Sequence, residues 1–247
     1  MEYEREEHEL QLVIVGDHDV GKTTLLQHFA NAGRFGVADV QPTMQPDCVQ
    51  RVVKTEDGVM VHLSMWDTAG MERFSTCACK GLWCNADGII ILYDVTKVAS
   101  YERVATYWIR TLYDTIGDFR AGDGYRHPPN IVHPILAPED GVLVEARLPC
   151  QILIVANKVD LENNRRVTIE SGKKLTNAFK LPYVQLSAAK DEQEALSLPF
   201  QLIASLIMKR RAQANMGPVL RANRLLDATT PRLQHPQDAP LNERNCC

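Results

Sequence analysis

The strongest constraint on the fold is a short loop, bounded by glycines, that joins an apolar segment to a helical pattern. Residues Gly16 to Thr23 read Gly-Asp-His-Asp-Val-Gly-Lys-Thr and match the pattern G-x-x-x-x-G-K-[ST]. The apolar segment Leu10–Val15 precedes the loop, and apolar residues at helical spacing follow it from Leu25 onward. Because a tight loop before a helix directs backbone N–H groups at an anion, this order predicts a phosphate-binding site.

The side chains of this loop predict individual contacts. We expect Lys22 to reach β- and γ-phosphate oxygens and the hydroxyl of Thr23 to bind Mg²⁺. The other loop residues expected to line the nucleotide are Gly16, Asp17, His18, Asp19, Val20, Gly21 and Thr24. A chance glycine turn ending in a basic residue is the alternative, and such a match arises in on the order of one chain in a hundred.

Strand and helix patterns alternate along the rest of the chain. Strands are predicted at Cys48–Lys54, Val59–Trp66, Gly88–Asp94, Gln151–Ala156 and Tyr183–Ser187. Helices are predicted at Ser100–Ile116, Thr168–Lys180 and Pro199–Arg211, the last with Pro199 near its first turn. The alternation predicts an α/β fold with a six-stranded, mainly parallel sheet, one antiparallel edge strand and helices on both faces.

Composition divides the chain into one domain with three additions. We expect an acidic leader at 1–9, a domain at 10–211 and a flexible tail at 212–247. Within the domain, residues 117–149 contain five prolines and are interpreted as a long surface insertion.

Composition also excludes several classes of protein. The net charge of −4 gives no field that attracts nucleic acid. No apolar run is long enough to span a bilayer, so we expect a soluble chain. Seven cysteines, an odd number, fit a reducing cytosol better than a disulfide framework.

Two polar motifs follow predicted strands. In Trp-Asp-Thr-Ala-Gly, Asp67 can hold Mg²⁺ through water and the N–H of Gly70 can meet a γ-phosphate. In Asn-Lys-Val-Asp, Asp160 can accept from the ring N–H and the exocyclic amine of guanine, two donors that adenine does not present there. Taken alone, the second motif is more often a polar turn at the end of a strand.

Together these segments resemble the small GTPases of the Ras superfamily, and most closely the Rab branch. The run from Trp66 to Phe74 differs at one position from the typical Rab run, the run from Gly88 to Thr96 is also Rab-like, and the chain ends in two cysteines. The resemblance implies a P-loop NTPase G domain that binds GTP or GDP with Mg²⁺ and hydrolyses GTP. It also implies a molecular switch in vesicle and membrane trafficking.

The resemblance also implies roles for individual residues. Thr43 resembles the threonine that joins Mg²⁺ and the γ-phosphate, and Phe35 resembles the aromatic residue that leans on the guanine. The implied guanine contacts are Asn157, Lys158, Asp160, Ser187 and Ala188.

The two terminal cysteines carry the implied membrane anchor. Cys246 and Cys247 resemble a pair of geranylgeranylated cysteines, and two lipid chains hold a membrane stably where one binds reversibly. The implied partners are an exchange factor, a GTPase-activating protein, effectors, a prenyl escort protein and a GDP-dissociation inhibitor, with no nucleic acid. The implied location is the cytoplasmic face of an endomembrane, in exchange with the cytosol.

Some residues depart from the family pattern where hydrolysis is controlled. Met71 stands at the position of the glutamine that orients the attacking water, and a thioether cannot take that role. His18 and Asp19 replace residues that are usually small; they either add bulk and charge beside the γ-phosphate or face solvent. We therefore expect slow GTP hydrolysis at a catalytic site formed by Thr43, Gly70 and Met71.

Other interpretations remain open. A hydrolysis-deficient, GTP-locked scaffold is the main alternative, and a P-loop kinase lacks any visible acceptor site or lid. Cys77, Cys79 and Cys84 are expected to be small buried residues of a helix, since no second ligand pair supports a zinc site. The run 209–211 is either a solvated helix end or a contact with anionic lipid.

Overall fold

The computed structural model describes residues 8–31, 47–68, 76–117, 131–136, 143–148 and 150–214. Its strands are β1 His8–Gly16, β2 Asp47–Lys54, β3 Met60–Asp67, β4 Gly88–Asp94, β5 Ile131–Leu136, β6 Leu143–Leu148, β7 Gln151–Asn157 and β8 Tyr183–Gln185. Its helices are α1 Lys22–Ala30, α2 Thr76–Asn85, α3 Val98–Arg103, α4 Arg110–Gly117, α5 Ile169–Phe179 and α6 Gln193–Gln213. A π-helical segment, Val104–Ile109, joins α3 to α4, and a 3₁₀ turn covers Glu162–Asn164.

Six strands form the main sheet in the order β2-β3-β1-β4-β7-β8. Only the β2–β3 pair is antiparallel, so the predicted mainly parallel sheet with one antiparallel edge strand is confirmed. Every residue of β4 and β7 is buried, as expected of central parallel strands covered on both faces. The carboxyl ends of β1, β4 and β7 therefore meet at one edge of the sheet, where the loops that follow them lie side by side.

Two apolar clusters cover the faces of this sheet. One contains Leu25 and Phe29 of α1 with Phe200 of α6, and the rings of Phe29 and Phe200 stack with centroids 4.0 Å apart. The other contains Trp108 of the π-helical segment and Phe179 of α5. Helices on both faces were predicted, because the two faces of a parallel sheet both need apolar cover.

The last helix begins earlier than the sequence pattern indicates. We predicted a start near Pro199, but α6 begins at Gln193 and places Pro199 in its interior. A proline there forfeits one helical hydrogen bond. The added turns compensate because Leu196 is buried in the core and the Gln193 amide donates to the carbonyl of Phe29 at 3.1 Å.

The insertion contains regular structure that we did not predict. Within 117–149, β5 and β6 form an antiparallel two-stranded sheet in which Ile131 pairs with Leu148. β5 lies beside α5, and β6 lies beside α4. Pro134 lies within β5, and each strand of a two-stranded sheet has an unpaired edge that tolerates a residue without an N–H.

The basic end of α6 corrects a further expectation. Arg211 is neither solvated nor available to lipid, because it is buried and its guanidinium lies 2.8 Å from Asp87. The other carboxylate oxygen of Asp87 accepts from the backbone N–H of Gln11, so the pair fastens α6 to β1.

Two further expectations concern the burial of cysteines on α2 and the helices that could cross a membrane. Cys84 on α2 is half-buried rather than buried, and the side chains of Cys77 and Cys79 lie outside the described residues. Among the described helices, none combines the length and apolar character needed to cross a membrane.

Candidate nucleotide-binding site

Two glycines give the loop after β1 its shape. Gly16 has φ +148°, and a Cβ there would lie 2.4 Å from the carbonyl oxygen of Leu92. Gly21 has φ +95°, and a Cβ there would lie 2.3 Å from the side-chain nitrogen of Asn157. At Gly16 a Cβ would clash with the backbone of β4, and at Gly21 it would clash with the Asn157 amide and strain a left-handed backbone, so both positions favour glycine.

Lys22 lies at the start of α1 and is almost fully buried. Its ammonium donates to the carbonyl oxygens of Gly16 at 2.8 Å and Asp17 at 2.7 Å. These bonds hold a positive charge inside the loop, at the N-terminus of a helix that itself favours anions. The arrangement suits the phosphate contact that the sequence predicts for Lys22.

The two predicted metal ligands that the structure describes lie together. The hydroxyl of Thr23 donates to a carboxylate oxygen of Asp67 at 2.5 Å. Asp67 is buried at the end of β3, and the next residue, Thr68, donates from its hydroxyl to the carbonyl of Ile14 at 2.7 Å. A hydroxyl and a carboxylate are oxygen donors of the kind that Mg²⁺ prefers, so this pair fits the metal.

Asn157 connects three segments of the site. Its side-chain amide donates to the carbonyl of Val20 at 2.8 Å, and its side-chain oxygen accepts from the backbone N–H groups of Lys158 and Ala188 at 2.8 Å each. Only 1% of Asn157 is exposed. Because a buried amide with both ends bonded has little freedom, Asn157 fixes the phosphate loop relative to the segments expected to bind guanine.

Asp160 is oriented by the predicted last segment of the site. The hydroxyl of Ser187 donates to a carboxylate oxygen of Asp160 at 2.7 Å, and the backbone N–H of Ser187 donates to Asp191 at 2.7 Å. The sequence analysis missed Asp191. Its signal was an acidic residue just after a serine turn, where a carboxylate can accept backbone N–H groups.

Lys158 spans the gap between two loops and has a left-handed backbone, with φ 67°. Its ammonium donates to the carbonyl of Asp19 at 2.7 Å and lies 2.9 Å from the buried carboxylate of Asp94. The sequence analysis missed Asp94 as well. It could have been found from the sheet register, because Asp94 pairs with Asn157 at the ends of β4 and β7.

The unusual side chains of the phosphate loop point toward solvent and toward neighbouring cations. His18 and Asp19 are exposed. The carboxylate of Asp19 lies 2.9 Å from the ammonium of Lys97. The hydrogen bond that Lys97 donates to this carboxylate lowers the pKa of Asp19. Of the two alternatives for this pair, the described geometry favours a solvent-facing position.

Six predicted residues lie outside the residues that the structure describes. They are Phe35, Thr43, Gly70, Met71, Cys246 and Cys247. Their proposed roles rest on the sequence.

Comparisons with known proteins agree with this architecture. The family model described as "Ras family" matches residues 11–120 and 140–209, and the unmatched stretch lies inside the predicted insertion. The "Ras-related protein SEC4" of Candida albicans is 30% identical over 210 residues, which cover 85% of this chain and 82% of that protein.

Two further relatives extend this similarity. The "Ras-related protein rab-39" of Caenorhabditis elegans is 25% identical over 212 residues, which cover 86% of this chain and 79% of that protein. The human "Ras-related protein Rab-26" is 29% identical over 211 residues, which cover 85% of this chain and 68% of that protein.

Proposed function

This chain belongs to the Ras family of small GTPases, and from that premise we propose that it is a Rab-like GTP/GDP switch in membrane trafficking that hydrolyses GTP slowly. The observation that carries the proposal is the position of Asn157, which bonds to the phosphate loop and to Ala188 at one edge of the sheet. A nucleotide lying along that edge can meet a phosphate site at one end and a base site at the other.

Guanine selection is assigned to Asp160. Its carboxylate accepts from the ring N–H and the exocyclic amine of guanine, while Ser187 holds the carboxylate in place. Adenine offers neither donor at these positions, so binding adenine would leave a carboxylate without its partners. The N–H of Ala188, which donates to the side-chain oxygen of Asn157 in this structure, is assigned to the base oxygen once guanine is bound, and Phe35 is assigned to the face of the base.

The phosphates are assigned to Lys22, the N–H groups of the loop and the start of α1. Thr23, Thr43 and, through water, Asp67 are the proposed ligands of Mg²⁺, which when bound neutralises phosphate charge. The closeness of Thr23 and Asp67 supports this assignment.

The guanine assignment is tested by comparing affinities for GDP, ADP and XDP. The wild-type chain should bind GDP far more tightly than ADP. Asp160→Asn should lose GDP affinity and gain XDP affinity, because the xanthine carbonyl accepts from an amide. Asp114→Asn, an exposed change on α4, is the matched control and should leave all three affinities unchanged. Equal affinity of the wild type for ADP and GDP would contradict the proposal.

A GTP-locked scaffold is the second candidate, and the presence of Met71 at the usual glutamine position favours it. The two candidates share the same nucleotide site and differ in the rate of hydrolysis. In both, an exchange factor, effectors and an escort protein are the proposed partners, and a prenylated tail is the proposed anchor. A GDP-dissociation inhibitor is a proposed partner of the switch, which returns to its GDP form. A GTPase-activating protein is a proposed partner only of a chain that hydrolyses GTP.

A further inference from the structure

The phosphate loop of this chain carries two carboxylates, on Asp17 and Asp19. At neutral pH both carboxylates are negative, and a bound nucleoside diphosphate or triphosphate adds further negative charge beside them. Like charges on neighbouring groups repel one another even in solvent, and this repulsion lowers the affinity for the nucleotide. A cation beside either carboxylate therefore favours nucleotide binding.

A cation from outside the loop meets Asp19. Lys97, in the turn after β4, places its ammonium 2.9 Å from the Asp19 carboxylate, although the two residues are 78 positions apart. Asp19 has φ 63°, a conformation that an aspartate tolerates, and Lys158 holds its carbonyl. The carboxylate is thus turned toward the β4–α3 segment.

A second pair of donors meets Asp17. The indole N–H of Trp108 donates to its carboxylate at 2.8 Å, and the guanidinium of Arg103 lies 3.3 Å from the same oxygen. Arg103 and Trp108 are five residues apart across the π-helical segment. A π turn brings residues five apart onto one face, whereas an α turn would separate them.

We propose that Lys97, Arg103 and Trp108, here called the loop clamp, are positioning residues that hold both loop carboxylates away from the bound phosphates and thereby set nucleotide affinity. The inference rests on the proposed function, because it concerns the same guanine nucleotide. The clamp acts through Asp17 and Asp19 and not by touching the nucleotide. Exposed ion pairs such as Lys97–Asp19 add little to folding stability. We therefore expect the loss of Lys97 to change the rate of nucleotide release more than the free energy of unfolding.

The first test measures release of a fluorescent GDP analogue from the full-length protein with Mg²⁺ present. Lys97→Ala should accelerate release by roughly three- to tenfold, because the negative charge of Asp19 then repels the phosphates without the compensating charge of Lys97. Arg110→Ala is the matched control: it removes one positive charge from the helix that follows the clamp, where Arg110 lies 3.9 Å from Asp114. The control should release the analogue at the wild-type rate.

A double-mutant cycle identifies the carboxylate that Lys97 compensates. Asp19→Asn keeps the shape of the side chain and its tolerance of positive φ but removes the charge. The Lys97→Ala, Asp19→Asn double variant should release nucleotide within about twofold of Asp19→Asn alone, since the coupling between two contacting charges then disappears.

Three results would overturn the inference. They are an unchanged release rate in Lys97→Ala, an equal acceleration by Arg110→Ala, and an effect of Lys97→Ala that survives fully beside Asp19→Asn. Arg103→Met retains the stem of that exposed side chain and should accelerate release by a smaller factor; an unchanged rate would exclude the Asp17 half of the clamp. Failure of the proposed function itself would be visible separately, as a wild-type chain without preference for GDP over ADP.

Discussion

At the scale of single residues, the site depends on side chains that each serve two segments. Asn157 contacts the phosphate loop and the Ser187 turn, and it lies so near Gly21 that no side chain fits between them. The glycine is therefore required by its neighbour across the sheet as well as by its own backbone angle. One missing Cβ allows the phosphate and base segments to approach.

Met71 gives the prediction that belongs to this scale. Met71→Gln should raise single-turnover GTP hydrolysis at least several-fold, because a glutamine amide can orient the attacking water and a thioether cannot. Met60→Gln, the same substitution at an exposed position of β3, is the control and should leave the rate unchanged. An unchanged rate for Met71→Gln, with nucleotide affinity intact, would mean that another residue positions the water.

At the scale of elements, contacts along the length of α6 hold the helix in register against the sheet. Ser205 accepts from the backbone N–H of Glu56 at 3.0 Å, joining the helix to the β2–β3 hairpin. At the end of the helix, Arg211 pairs with Asp87 beside β4. The second pair is nearly buried, so its loss would leave a charge without solvent.

We expect Arg211→Met to lower the free energy of unfolding of the GDP-bound protein by about 3 kcal/mol, because the carboxylate of Asp87, only 14% exposed, would lose the guanidinium that lies 2.8 Å away. Lys209→Met, two residues away and in an exposed pair with Glu56, should cost clearly less. Denaturant unfolding at a fixed nucleotide concentration measures both, since bound ligand itself shifts stability. Equal losses in the two variants would show that burial does not distinguish the pairs.

At the scale of the whole molecule, the proposed switch needs a folded nucleotide domain and a tether. The β5–β6 hairpin adds a second, small sheet beside α4 and α5 without interrupting the main sheet, since β4 and β7 still pair along their full length. The chain therefore accommodates an insertion between β4 and β7 in the sequence without disturbing the candidate site at the carboxyl edge of the sheet.

The tether gives the prediction at this scale. Replacing both Cys246 and Cys247 by serine should move the protein from membranes to the cytosol, and one replacement should leave weak anchoring, because each buried CH₂ contributes about 0.8 kcal/mol. Cell fractionation measures the distribution, and mass spectrometry of the native protein identifies the modification. Unmodified cysteines in the native protein would contradict the proposal.

Contiguous residues by themselves determined the strand-loop-helix order around Gly21 and Lys22, the six-stranded sheet and the family resemblance. These features depend on local backbone geometry and on apolar periodicity, which a short stretch of sequence specifies. The predicted start of α6 was wrong. Proline favours the first turn of a helix, but the burial of Leu196 stabilises turns that precede Pro199. The β5–β6 hairpin was missed because prolines weaken the alternation by which a strand is identified.

Only the tertiary structure decided which charges meet. Lys97 and Asp19 are 78 residues apart and Arg211 and Asp87 are 124 apart, and nothing in either neighbourhood specifies the partner. The sequence left open whether Asp19 faces phosphate or solvent. Its orientation depends on Lys97, which follows β4 and lies at the same edge of the sheet. Each of these ion pairs forms where several elements of the fold converge, and only the fold brings the two charged residues to that point.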